Sequence, residues 1–399
     1  MDKTYLYRTV EENAPVITGI SDRIWEYAEL SLLEFKSCEL YVKVLKEQGF
    51  NVECPVCGID TAFKATYGSG KPVIGILAEY DALSGLSQEA NSAVCKELVR
   101  GGSGHGCGHN LLGAGAMAAA FAVKSYLEEG HEGTVIFYGC PGEEGGAAKA
   151  FMARERLFEE CDLALTWHPG SVNQVTSGTC NSCIQTEYKF TGVAAHAAGN
   201  PHMGRSALDA VELMNIGVQF LREHMESSSR IHYAITDAGG NSPNVVQPHA
   251  QVLYMARSIL VKEALELQAR VDKIAEAAAM MTETKMTKRF IDGTSNTVPN
   301  KVLEKLMWEN FNEVGVPTYT DEEKAFAQTL IDGYEMPSKD LPGSACDENA
   351  EIAEWVAEVS KNATIPLNDF LVPYWFSTKE RAGSTDVGDV SWLVPTAQI

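Results

Sequence analysis

Three short apolar runs constrain this chain more than any other feature. Val73-Ile74-Gly75-Ile76-Leu77-Ala78, Thr134-Val135-Ile136-Phe137-Tyr138 and Leu163-Ala164-Leu165-Thr166-Trp167 are continuous in character rather than alternating. A strand apolar on both sides must be covered on both faces, a need met by parallel sheets flanked by helices. Helical patterns surround these runs. Ile17, Ile20, Ile24, Tyr27 and Ala28 recur at helical spacing within residues 16–48, followed by a second run from Ser37 to Glu47 that Gly49 closes. Leu111 to Glu128 reads as a helix rich in Ala and Gly, suited to close packing. Strands alternating with helices predict a mainly parallel α/β sheet.

The pattern changes after about residue 184. Ile184–Thr191 reads as a strand and Ser206–Met225 as a helix. Ile231–Asp237 and Gln251–Arg257 follow as strands, then Val261–Met281 as a long helix and Glu283–Ile291 as a final strand. The order β-α-β-β-α-β is that of a ferredoxin-like split sandwich. A chain of 399 residues exceeds one typical core, so two domains are expected. Residues 1–183 and 295–399 form the α/β domain in this reading, and 184–294 an inserted α+β domain.

Composition removes several function classes. A formal net charge of −22 is opposite to the basic face that nucleic-acid binding requires. No run of about 18 apolar residues is present, so no membrane-spanning helix is expected. The polar start, Met1-Asp2-Lys3-Thr4-Tyr5, does not read as a secretory signal. Ten cysteines are too sparse for a disulfide scaffold, and Cys95, Cys140 and Cys161 sit in apolar or glycine-rich settings. A reducing cytoplasm is the expected location.

The chemistry gathers at the ends of the apolar runs. The first is followed by Glu79-Tyr80-Asp81, the second by Pro141-Gly142-Glu143-Glu144-Gly145-Gly146, and the third by His168-Pro169. Gly104-His105-Gly106-Cys107-Gly108-His109-Asn110 precedes the Ala-rich helix. In open α/β sheets the functional crevice lies beyond the carboxyl ends of the strands, so these separate segments can converge. Thiolate and imidazole suit a zinc-like ion, and a carboxylate can complete its shell. Cys107 and His109 can face one ion if Gly108 permits the turn. Glu143 and Glu144, being adjacent, point in different directions, so one can bind metal while the other acts as general base. Each element alone has a blander reading: a packed thiol beside a surface imidazole, a solvated Glu-Glu turn, a capped loop. Their convergence favours a metal site.

The same stretches carry a family resemblance. His105 to Asn110, Pro141 to Gly146 and Trp167-His168-Pro169 resemble the dinuclear metallohydrolases of the aminoacylase and carboxypeptidase clan, in the branch of hippurate hydrolase and the plant auxin-conjugate hydrolases. Residues 192–198 and 201–210 resemble that branch's lid motif. Glu79 to Leu83 and Gly383 to Trp392 are most similar to its p-aminobenzoyl-glutamate hydrolase subgroup. The resemblance implies hydrolysis of the amide bond of an N-acyl or N-aroyl amino acid, or of a short dipeptide, by metal-activated water. It implies two divalent ions, zinc or manganese, with Cys107 bridging, His109 and His168 at one ion and Glu144 at the other. Glu143 would be the general base and His196 would stabilise the oxyanion or the substrate carboxylate. Asn244 and Arg257 would hold the substrate's carboxylate. The inserted domain would act as a lid and join two copies as a homodimer.

Two positions depart from the family pattern. Asn110 replaces an aspartate, removing a charged partner behind the ligands. A further metal-ligating histidine is expected near the carboxyl end, yet the last histidine here is His249, so the natural chain is expected to continue past Ile399 or the second site to be incomplete. A structural zinc on Cys54-x-x-Cys57 with Cys180-x-x-Cys183 is the less favoured reading of those pairs, because the flanking turns of a zinc ribbon are missing. His202 and Arg205 read as a helix-capping loop, and Asp321-Glu322-Glu323-Lys324 as a solvated helix start. Alternatives are a catalytically impaired ligand-binding or partner subunit of the same fold, and a hydrolase with Cys107 as nucleophile.

Overall fold

In the computed structural model, which describes residues 3–333, 349–362, 366–381 and 383–399, the chain divides into two compact units. The first holds residues 1–178, 298–379 and 390–399; the second holds 179–297 and 380–389.

The first unit opens with helices α1 (Thr4–Tyr27) and α2 (Phe35–Glu47). Strands β1 (Asn51–Glu53), β2 (Phe63–Ser69) and β3 (Val73–Ala78) follow, then α3 (His109–Glu128). After these come β4 (Gly133–Gly139), α4 (Ala148–Arg154) and β5 (Leu163–Thr166). Three of the expected strands are thus present at their expected places. The sheet order is β1-β2-β4-β3-β5-β10, where β10 is Thr396–Gln398. β3 runs parallel to β4 and β5, and β5 to β10, whereas β2 lies antiparallel on β4 and pairs β1. The mainly parallel sheet is therefore observed, with an antiparallel edge that the sequence reading lacks. β2 alternates in burial and ends in Gly68-Ser69, a weak strand signal beside the continuous runs.

All seven residues of β4 are buried, as a strand covered on both faces requires. Its Phe137 packs with Phe63, Tyr41 and Tyr80 in one aromatic cluster; each such ring removed from water contributes about 1.5–3 kcal/mol. α1 begins twelve residues before the expected start at Val16 and runs through Pro15. Packing against α3, including Thr9 Oγ1 donating to Ser125 Oγ at 3.0 Å, holds the added turns despite the lost proline N–H. The small residues of α3 permit close approach: a Cβ on Gly115 would lie 2.7 Å from the Trp167 ring.

The second unit contains β6 (Ser182–Thr191), α5 (Ala207–Leu221), β7 (Arg230–Asp237), β8 (His249–Ser258), α6 (Val261–Thr282) and β9 (Lys285–Thr294). Its sheet is antiparallel throughout, in the order β7-β8-β6-β9. This is the ferredoxin-like arrangement expected from the β-α-β-β-α-β pattern. One face carries both helices over a core of Tyr188, Phe190, Val211, Met214, Val252 and Val271. The first unit resumes with α7 (Lys301–Val314), α8 (Asp321–Asp332) and α9 (Ala350–Asn362). α8 starts at the acidic cluster, with a Thr320–Glu323 capping box. Among the described residues no helix is long and apolar enough to cross a membrane.

Candidate metal centre

Parallel pairing brings the ends of β3, β4 and β5 to one edge of the first unit's sheet, with Ala78 opposite Gly139 and Ile76 opposite Leu165. Glu79 and Asp81 leave β3 there, the Glu143-Glu144 loop leaves β4, and His168 follows β5. The fourth contribution is the start of α3. Gly108 caps that helix with φ 80°, and a Cβ on it would lie 2.8 Å from the Pro169 ring. Only glycine serves there. Cys107 is thereby placed beside His168, and His109 becomes the first residue of the helix.

Cys107 Sγ lies 3.3 Å from His168 Nε2. His109 Nδ1–H donates to Asp81 Oδ1 at 2.9 Å, and His168 Nδ1–H to the Pro169 carbonyl at 2.8 Å. With Nδ1 occupied, each ring turns Nε2 toward the shared space, the orientation that ligating histidines adopt. Cys107, His109 and His168 offer three donor atoms mutually within 4.8 Å, and Glu79, His109 and Glu143 offer a second such set. Asp81 Oδ2 also accepts from Ser31 Oγ at 2.8 Å and from the Glu144 amide at 2.9 Å. Glu34 Oε1 accepts from the Gly142 amide at 2.8 Å and Leu32 N at 2.9 Å, and Oε2 from Thr61 Oγ1 at 3.0 Å. The loop carrying Glu143 and Glu144 is therefore pinned at both ends by buried carboxylates.

Electrostatics reinforce the grouping. The imidazoles of His109 and then His168 pull the Cys107 thiol below its ordinary value, against burial. Burial opposes a charge on His109, but Asp81, Cys107 and Glu79 together push it up to about 12. His168 is raised chiefly by Cys107. Asp81 is lowered: burial opposes its charge, and the hydrogen bond to His109 outweighs it. Soft thiolate, two imidazoles and nearby carboxylates form the donor set of a zinc-like ion. Buried Glu79 Oε2, His109 Nε2 and Glu144 Oε1 have no hydrogen-bond partner, as ligand atoms facing an ion would not. The residues fit a divalent metal.

The structure thus brings together Cys107, His109, His168 and Glu143. Glu144 lies near enough for its charge to oppose ionisation of Cys107, but it belongs to neither three-donor set. His196, Asn244 and Arg257 belong to the second unit. His196 pairs with Val245 across a short bridge, and Ala197 N donates to the Asn244 carbonyl at 3.0 Å, so His196 and Asn244 are neighbours. Arg257 stands near the opposite end of β8, paired with Cys183, and is not brought to them.

Several contributors carry little signal in the sequence. Glu79 and Asp81 stand out in the sequence as part of the run that ends the first apolar strand and of the family resemblance, but with no role assigned to either. Lys149 stands out as a cation among Ala148, Ala150, Phe151 and Met152, and its Nζ lies 2.6 Å from Glu79 Oε1. Glu34, far upstream, carries no motif. Asn110 does not touch the centre; its amide donates to Ser21 Oγ at 3.0 Å, and Asp81 supplies the charged partner that the Asp-to-Asn departure led us to expect missing. His105 points away, 2.9 Å from the Ile24 carbonyl and stacked on Trp25. Neither Cys-x-x-Cys pair joins a donor group among the described residues. Arg205 pairs with Glu283 at 2.9 Å.

An α/β unit with a thiolate, imidazole and carboxylate cluster at its strand ends, interrupted by a ferredoxin-like unit, defines the class of metal-dependent amide-bond hydrolases. Residues 75–363 match Peptidase family M20/M25/M40, and the chain belongs to that family. It is 46% identical over 394 residues to one of the p-aminobenzoyl-glutamate hydrolase subunits of Escherichia coli (strain K12), covering 98% of this chain and 81% of that protein. It is 28% identical over 333 residues to the Xaa-Arg dipeptidase of Mus musculus, covering 78% and 72%. Among solved structures, an aminobenzoyl-glutamate utilization protein from Klebsiella pneumoniae shares the fold, with a TM-score of 0.67 at 17% identity, over 98% of this chain and 93% of that one. So does a dinuclear metal-binding peptidase of the M20 family from Bacillus subtilis, with a TM-score of 0.55 at 16% identity, over 100% and 88%.

Proposed function

We propose that the chain hydrolyses the amide bond of N-aroyl or N-acyl amino acids of the p-aminobenzoyl-glutamate type, using zinc or manganese, in the cytoplasm. The observation that carries this reading is the placing of Glu143 in one donor set with Glu79 and His109, beside the Cys107–His109–His168 set. The 46% identity to a component of p-aminobenzoyl-glutamate hydrolase supports the substrate class.

Cys107, His109, His168 and Glu144 would hold the metal. A divalent cation supplies Lewis-acid polarisation and brings the pKa of a water to about 7. Glu143 takes the proton from the attacking water and passes it to the departing amine nitrogen. Asp81 keeps His109 in the tautomer that leaves Nε2 free, and Glu34 holds the loop from which Glu143 projects. His196 stabilises the charge that develops on the carbonyl oxygen, a donor whose loss typically costs about 2.7–4 kcal/mol. Asn244 and Arg257 hold the substrate carboxylate. Asn244 precedes the ten-residue strand β8 and Arg257 stands near its far end, so the two are proposed to serve different substrate molecules in a pair of chains. The inserted domain, 184–294, acts as lid and dimer interface. Leu213, Ile216 and Phe220 are exposed at helical spacing on α5, and Tyr233 and Ile235 are exposed on the edge strand β7, apolar surface of the kind a second copy covers.

A second reading is a heteromeric one. The 46% relative is named as one of two different subunits of its enzyme, and the other of the two Escherichia coli chains is also similar, 29% identical over 204 residues. The test is release of p-aminobenzoate from p-aminobenzoyl-glutamate by the chain alone after chelation and Zn²⁺ or Mn²⁺ reconstitution, beside Glu143→Ala. Metal-restored turnover lost in the variant supports the reading. Turnover that survives metal removal, or full activity in Glu143→Ala, sinks it. Activity only with an added chain of that second kind selects the heteromer.

A further inference from the structure

The proposed chemistry makes no use of a buried ion pair at this centre. Lys149 is 0% exposed and Glu79 2%. Lys149 is the second residue of α4, directly after the loop that bears Glu143, and its Nζ occupies Glu79 Oε1 at 2.6 Å. A lysine taken fully out of water requires such a partner, so the pair fixes the orientation of the Glu79 side chain. Glu79 Oε2 is left pointing at His109 Nε2, 3.2 Å away, yet the two are not aligned as a hydrogen bond and neither atom has another partner.

Two buried, unpaired polar atoms facing each other are costly unless a cation lies against both. Two donors held about 2.0–2.2 Å from one zinc ion at a tetrahedral angle stand about 3.3–3.6 Å apart. The observed separation of 3.2 Å is close to that spacing. Glu143 offers an oxygen within 4.8 Å of both, which keeps the proposed base beside the same ion.

We propose that Glu79 is itself a ligand to the ion held by His109, with Lys149 as the fixed counter-charge that aims its free oxygen. The assignment rests on the metal-dependent reading above and adds a donor to it. Glu79 thereby joins β3 directly to the metal, and Lys149 couples the ion's ligand to the helix behind the catalytic loop.

The test uses the full chain with Zn²⁺ alone, titrated against a chromophoric chelator, and with Co²⁺ read by its visible ligand-field bands. Glu79→Gln is compared with Glu79→Gln/Lys149→Met, which removes the lysine's charge as well, and with Glu79→Asp, which keeps the charge but withdraws the oxygen. Folding is checked by circular dichroism. The expected result is Zn²⁺ affinity weakened by at least the roughly 10–100-fold that loss of a supporting partner costs, with the cobalt bands altered. Unchanged affinity overturns the assignment. So does weakened affinity with unmoved cobalt bands, which places Glu79 behind His109 rather than on the ion. In both cases the wild type still binds metal and the proposed function stands. A wild type that binds neither ion removes the metal-dependent reading itself, and this assignment with it.

Discussion

Asp81 accepts a 2.9 Å hydrogen bond from His109 Nδ1 while its other oxygen holds the Glu144 backbone amide at 2.9 Å. One buried carboxylate therefore orients a ring from α3 and ties down a loop from β4. Asp81→Asn keeps the size but forces an NH₂ toward either the ring or the amide. Zn²⁺ affinity is expected to fall about 10–100-fold, with secondary structure retained. Chelator competition measures this, and an unchanged affinity would show that Asp81 is only structural.

Glu34 gives the fold a pH dependence of definite sign. Burial first, and then the charge of Asp81, raises its carboxyl from the ordinary 4.5 to about 7. The folded chain keeps that proton up to about pH 7, whereas the unfolded chain releases it near 4.5. Stability from this group is complete below about pH 4.5 and declines as pH rises to about 7, then levels. Glu34→Gln keeps acceptors for Gly142 and Leu32 without the titration. Its melting temperature should gain on the wild type between pH 5 and 7, by the equivalent of about 1–3 kcal/mol. Parallel melting curves across that range would exclude the effect.

If His196 acts on the substrate of a second copy, two inactive variants can repair each other. Glu143→Ala and His196→Ala chains, mixed under conditions that exchange protomers, form hybrids with one intact set of residues. About a quarter of wild-type turnover is expected from random pairing of a two-fold dimer. Mixing that restores nothing, in a sample shown to exchange, assigns His196 to its own chain.

Close packing of α3 predicts a steric lesion. A Cβ on Gly113 would lie 2.2 Å from Tyr41 Oη and 2.7 Å from the Glu79 carbonyl. Gly113→Val should cost about 1–3 kcal/mol or more in denaturant unfolding. It should also weaken metal binding, because the displaced backbone carries Glu79.

The wild-type sequence displays its fold where the local signal is strong. Continuous apolar runs such as Val135-Ile136-Phe137 demand cover on both faces, and β4 has it. Residues 184–294 carry the alternation of periods that becomes the ferredoxin-like sheet. The antiparallel β1–β2 edge and the first turns of α1 were not legible, because tertiary contacts hold a Gly-Ser-ended strand and a proline-containing helix that local propensity leaves unsupported.

At the centre the same division holds. Cys107 and His109 are readable from the glycine loop that opens α3, and Glu143 and His168 from the ends of two apolar runs; it is their convergence, which follows from parallel pairing, that singles them out. The parts played by Glu79, Asp81, Lys149 and Glu34 are set by contacts between residues up to 108 positions apart, as between Glu34 and Gly142. No spacing rule encodes such partners. The sequence by itself determined which residues could bind a metal and at which strand or helix ends they would stand. Only the tertiary structure decided which carboxylate faces His109, which lysine balances it, and that Arg257 lies away from Asn244, because hydrogen bonding and desolvation act through space rather than along the chain.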